Sequence, residues 1–346
     1  MQEGAQMNIR LPGFLLHVSA AALLALAGLA TGSPACAADP EAGEGPYTSL
    51  FVFGDSYSDI GAGYVDGNGP TSVAYLAADL GIPFTYAGAP DAAGKGLDFA
   101  VSGAQTGASP GIHFAGVFLG YGMLNQVADF EKLVTSGTVS FDPARTLFFI
   151  AGGLNDGNLT NAITVANLTS QFHTLYALGA RNFALASLPT LIPAFSAVAA
   201  RLNPAYSTLV LELEAQLPGS NIYLSRWGSF YDAILTDPAR YGFTNITDRC
   251  AGRAIFGQDP TPCATPNTYF YYHDSHPSTA AHRVVGNLLY QEALATAGRC
   301  KRHSEEAAGE TLVPQRAEVA NRLRGQDQPI RDTSRWPFGT AGAHCA

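Results

Sequence analysis

The sequence predicts an α/β fold in which about five parallel strands form one central sheet. Two features carry that prediction. From about residue 47, short apolar runs alternate with longer segments whose apolar residues recur every three or four positions, the order that strand–helix–strand units produce. The short runs are apolar almost throughout, as strands covered on both faces are. A chain of 346 residues with 47% hydrophobic and 14% charged residues can build a sizeable core and is too apolar for a disordered polymer.

In chain order, "SLFVFG" (49–54) is the first strand, and "PTSVAYLAADLG" (70–81) is the amphipathic helix after it. The strand "LDFAVSG" (97–103) leads into the helix "MLNQVADFEKLVTSG" (123–137). "TLFFIAGG" (146–153) and "NAITVANLTSQFHTLYALG" (161–179) form the next pair. "NFALASL" (182–188) precedes "AFSAVAARLNPAYSTLVLELEAQL" (194–217), where Pro204 is expected to kink or divide the helix. "NIYLS" (221–225) is the fifth strand, and "STAAHRVVGNLLYQEALATAG" (278–298) is a last helix capped by Gly298.

Both ends differ from this body. "FLLHVSAAALLALAGLA" behind Arg10, with "ACA" at 35–37, reads as an export signal over residues 1–37, so the mature protein is expected in the periplasm or outside the cell. Residues 38–46 read as a short linker, 47–300 as the domain, and 301–346 as a flexible, more charged tail. An exported chain permits a disulfide between Cys250 and Cys263, while the state of Cys300 and Cys345 stays open. The net charge of -9, without a basic run, argues against nucleic acid as a partner. No stable membrane span is expected once the signal is removed.

The chemistry begins where the first strand ends, in "FVFGDSYSDIGAG", because ligands of open α/β sheets bind at the carboxyl ends of strands. Ser56 is the candidate nucleophile there, with a capping role as its bland alternative. A rival, Ser109 in "GASPG", matches a nucleophile elbow, but Pro110 follows it and has no N–H to give an oxyanion. The chain resembles the GDSL (SGNH) hydrolase family in four ordered blocks: "FVFGDSYSDIG", "FAVSGAQTG", "GGLNDGN" and "HPSTAAH". The resemblance implies a three-layer α/β/α, flavodoxin-like fold and no cofactor or metal. It implies Ser56 as nucleophile, His276 as base, and an oxyanion hole from Ser56, Gly103 and Asn155. Those residue types suit the roles, since a developing oxyanion needs donors already in place. Asp156 reads as structural.

The stretch "YYHDSHPSTAAH" holds three histidines. Pro277 disfavours helix at His276, which leaves His273 and His276 in a loop rather than at metal-binding spacing on one helix. His282 reads as a structural or partner-facing residue. The family's acid stands three residues before the histidine, where this chain has His273. Asp274 is the expected acid, through an adjusted turn; a main-chain carbonyl with a Ser–His dyad, or a carboxylate from elsewhere, stands beside it. The expectation is an exported serine hydrolase acting on short-chain, acetyl or lipid esters. Acyl transfer by the same residues and an exported binding protein without catalysis are the alternatives.

Overall fold

The computed structural model describes residues 45–297. Six strands form a wholly parallel sheet: β1 (Ser49–Gly54), β2 (Phe84–Tyr86), β3 (Gly96–Asp98), then β6 (Thr146–Ala151), β7 (Asn182–Ala186) and β8 (Asn221–Ser225), in spatial order β2-β3-β1-β6-β7-β8. Between β3 and β6 the chain makes an antiparallel hairpin, β4 (Pro110–Phe114) and β5 (Val117–Tyr121), turning on Ala115 and Gly116 at φ 47° and 82°. A small second sheet follows, β9 (Asn245–Arg249), β10 (Tyr269–His273) and β11 (His276–Pro277), in order β11-β10-β9. The helices are α1 (Ser72–Asp79), α2 (Met123–Thr135), α3 (Asn161–Ala177), α4 (Ser196–Gln216), α5 (Trp227–Thr236) and α6 (279–297).

Strand pleating sorts the core into two layers, because alternate side chains leave opposite faces of the sheet. Phe51 and Phe148, opposite each other in the β1–β6 register, both stack near Phe130 of α2, and Phe183 of β7 meets Phe172 of α3. One residue on, Phe149 turns the other way and meets Trp227 of α5. Trp227 and Tyr231 bond Ser72 of α1, and Gly286 of α6 lies so close to Tyr75 of α1 that a Cβ would come within 2.4 Å of it. Helices α2 and α3 thus cover one face and α1, α5 and α6 the other, the expected three-layer α/β/α arrangement.

The five strands read from the sequence are present, joined by a sixth. β2 is only three residues long, behind Pro83 at the sheet edge, too short to leave a periodic signal. "LDFAVSG" is a strand for less of its length than expected. Asp98 turns its carboxylate back on the N–H groups of Ala100 and Ile60, which bends the chain away after β3. Helix α4 runs unbroken across Pro204, so the expected division does not occur. A proline removes one hydrogen bond, and Leu202, Tyr206 and Leu209 hold both halves in the core. Hairpin β4–β5, helix α5 and the second sheet have no counterpart in the sequence reading. Cys250 and Cys263 are joined, closing the loop between β9 and β10. The export signal, most of the linker, the tail, Cys300 and Cys345 lie outside the described residues.

Candidate active site

The strand order reverses about β1: the chain first builds β2 and β3 on one side, then β6, β7 and β8 on the other. The carboxyl end of β1 is therefore the crevice of the sheet, and Ser56 stands two residues beyond it. The turn is held from within. The Asp55 carbonyl accepts from the N–H groups of Ser58 and Asp59, and the Asp55 carboxylate accepts from Tyr57 N–H. Asp59 reaches across to the second block, taking Ser102 N–H at 2.8 Å together with the N–H groups of Gly61 and Gly63. That bond ties the second block to the turn that carries Ser56, and the next residue, Gly103, stands at φ 80°, a conformation a glycine adopts without strain.

Asn155 follows β6 at the same edge. Its side-chain Nδ2 donates to the Ala104 carbonyl at 2.9 Å, and its own carbonyl accepts from Gln105. One amide hydrogen is thereby used to fix the group, and the second is left for a ligand. Asp156 is buried and ties the second block to the third, accepting from the Thr106 N–H and from the Thr106 and Thr164 hydroxyls. Ser109 takes no part: it opens the hairpin, where its Oγ accepts from Gly111 N–H.

His276 meets Ser56 across 220 residues of sequence, Nε2 to Oγ 2.8 Å. The imidazole is buried against the Tyr57 ring, 5.3 Å between centroids. Burial pushes its pKa below the ordinary histidine value, helped by the positive Arg253, while Asp66 and the Asp274 carbonyl act in the other direction. The three histidines have separate tasks. His282, on α6, takes Ser72 N–H on Nδ1 and lies 2.8 Å from the Tyr231 hydroxyl. Burial pushes it down to about 3, so it stays a neutral core residue.

The carboxylate expected to hold His276 does not. The Asp274 side chain turns outward to Arg249, 2.5 Å away, and is half exposed. Its main-chain carbonyl faces His276 Nδ1 instead, at 3.0 Å. The reason is the two-residue turn between β10 and β11: Ser275 adopts φ 55°, which swings the 274 carbonyl inward and the side chain out. Tyr57 secures this turn by donating its hydroxyl hydrogen to the Ser275 carbonyl.

Two residues that the sequence reading did not single out complete the site. Asp66, from the loop after β1, places Oδ2 3.3 Å from His276 Nε2, while its Oδ1 receives His273 Nδ1 at 2.6 Å and Arg253 Nε at 3.0 Å. Burial works to raise the Asp66 carboxyl, but the His273 bond and the nearby His276 and Arg253 hold it below the usual carboxylate range. Arg253, from the disulfide-closed loop, also donates from Nη2 to the Asp274 carbonyl at 2.6 Å. Nη2 and His276 Nδ1 are 2.5 Å apart because both converge on that oxygen. If Nδ1 donates there, Nε2 keeps its lone pair for Ser56; if Nδ1 instead accepted from Arg253, Nε2 would carry the hydrogen and could take no proton.

Known proteins resemble this chain in sequence. A GDSL esterase/lipase of Arabidopsis thaliana is 30% identical over 146 residues, 35% of this chain and 39% of that protein. The chain spans about two fifths of the length of the first curated relatives it matches. Another Arabidopsis GDSL esterase/lipase is 25% identical over 346 residues, covering 80% of this chain and 90% of that protein. Among solved structures, a member of the lipolytic protein G-D-S-L family from Veillonella parvula aligns over 69% of this chain and 94% of its own, at 11% identity and a TM-score of 0.37. The sequence pattern of the GDSL-like Lipase/Acylhydrolase family matches residues 50–289, and the chain belongs to that family.

Proposed function

We propose that the protein is an exported serine hydrolase that cleaves carboxylic esters through an acyl-enzyme. The observation that carries this reading is the 2.8 Å contact between Ser56 Oγ and His276 Nε2 at the carboxyl edge of β1, with Asn155 at the adjacent strand end. Ser56 attacks the ester carbonyl as His276 takes its proton. The oxyanion is received by the main-chain N–H groups of Ser56 and Gly103 and by the second amide hydrogen of Asn155. His276 then returns the proton to the leaving alcohol, and water repeats the sequence on the acyl-enzyme. The export reading is supported by the N-terminal pattern and by the Cys250–Cys263 disulfide, a bond that reducing compartments disfavour.

Substrate preference is read from one cavity of about 580 Å3. Leu191, Pro193, Leu235, Ile246 and Tyr271 line it together with the Arg249–Asp274 ion pair, and Ser275, the neighbour of the base, stands in its wall. Such a space suits an apolar ester group larger than acetyl. A p-nitrophenyl ester series from acetate to palmitate tests both parts. Butyrate and hexanoate should turn over faster than acetate, and Ser56→Ala should lose at least about a thousandfold in kcat. Equal rates in wild type and Ser56→Ala would sink the hydrolase reading; a sharp acetate optimum would sink the assignment of the cavity.

A further inference from the structure

We propose that Asp66 is the counter-ion of the His276 imidazolium, a positioning residue supplied by the loop after β1 because a histidine occupies position 273. The inference rests on Ser56 and His276 being nucleophile and base. As Ser56 attacks, its O–H bond breaks, the Oγ–carbon bond forms, and the carbonyl π pair moves to oxygen. The proton goes to Nε2, and the imidazole becomes a buried cation. A buried cation without a nearby anion is costly. The Asp66 carboxylate stands 3.3 Å from the nitrogen that receives the proton, and the same proton later leaves Nε2 for the departing alkoxide.

The surroundings single out Asp66. The loop after β1 brings Tyr57, whose ring lies 5.3 Å from the imidazole at 51° to it and carries no charge. The disulfide-closed loop brings Arg253, which opposes protonation; α6 brings the neutral His282; β10 brings His273 and the Asp274 carbonyl. The Asp274 carboxylate is spent on Arg249 at the surface. Asp66 is itself aimed. Both of its anchors, His273 and Arg253, meet Oδ1, which leaves Oδ2 turned to His276. The histidine at the position of the missing acid thus holds an acid brought from 207 residues away.

The test is Asp66→Asn with p-nitrophenyl butyrate, measured as kcat, KM and the pH profile of kcat/KM. Asparagine keeps the shape and can still accept from Arg253, but it carries no charge. Expected is a fall in kcat of roughly ten- to a hundredfold with KM nearly unchanged. The acid limb of the profile should move to lower pH by about one to two units, since loss of an anion makes the imidazole harder to protonate. An unchanged kcat overturns the proposal, and so does a fall without movement of the limb, which packing alone would produce. If circular dichroism shows that Asp66→Asn does not fold, His273→Asn and His273→Leu replace it. Asparagine offers an N–H near the position of Nδ1 and should keep the wild-type limb, whereas leucine should move it; coincident profiles from the pair overturn the proposal. Turnover that survives in Ser56→Ala condemns the nucleophile reading, while turnover lost there and untouched in Asp66→Asn condemns only the counter-ion.

Discussion

At the scale of single residues, the site separates what a side chain does from what its backbone does. Asp274 offers His276 a carbonyl, and its carboxylate lies on the surface beside Arg249. Asp274→Asn keeps the carbonyl, so kcat on p-nitrophenyl butyrate should fall by less than about threefold, the scale of an exposed ion pair. In this variant, as in wild type, kcat/KM should be half-maximal below pH 6.5, because burial keeps His276 neutral into mildly acid solution. A loss as deep as that of Asp66→Asn would return the side chain to the catalytic role. Ser56, Gly103, Asn155 and His276 could be singled out in the sequence because each sits in a short local word, and the structure brings Ser56 and His276 together. Asp66 could not: "VDGNG" reads as an ordinary turn, and its partners Arg253 and His273 are some 190 to 207 residues away. The one available clue was negative, a histidine where an acid belonged.

At the scale of elements, the loop between Cys250 and Cys263 is more than a connection between β9 and β10. It carries Arg253, which holds both the Asp274 carbonyl and the Asp66 carboxylate, and Phe256, whose ring lies 5.7 Å from Phe114 of the β4–β5 hairpin. Replacing both cysteines by serine should lower unfolding stability by about 3 kcal/mol, the chain-entropy cost of freeing a loop of this size. The substitution should also lower kcat, because Arg253 loses its fixed place. Denaturant titration and turnover of the same sample check this, and full activity in a destabilised variant would detach the loop from the site. Elements of this kind escape sequence reading for a physical reason. The hairpin and β9 are short and at best half-buried, and β11 has only two residues, so the apolar run that marks the strands of the main sheet is absent from them.

At the scale of the whole molecule, the sheet was legible because both of its faces are buried, which forces each strand to be apolar along its length. The same burial traps charged groups at its carboxyl edge. Asp55 is enclosed in the turn that carries Ser56, its Oδ2 without a hydrogen-bond partner among the described residues, and burial pushes its pKa up to about 7. The folded state therefore holds a proton that the unfolded chain releases near pH 4, and stability contributed by this group falls as pH rises from about 4 to about 7. His282 acts in the opposite sense, because its depressed pKa costs stability as pH falls below 6.5. Asp55→Asn should leave the His282 slope in place and remove the other. Relative to wild type, its urea midpoint should rise between pH 4.5 and pH 8, by the equivalent of about 2–4 kcal/mol; a constant difference across that range would mean that Asp55 does not titrate there. The turn at Ser275 has a consequence of a different order. An imidazole oriented by a peptide carbonyl depends on no codon at 274, so that position is free to drift. The selective burden passes to Ser275, where only residues that tolerate a left-handed backbone can be inherited.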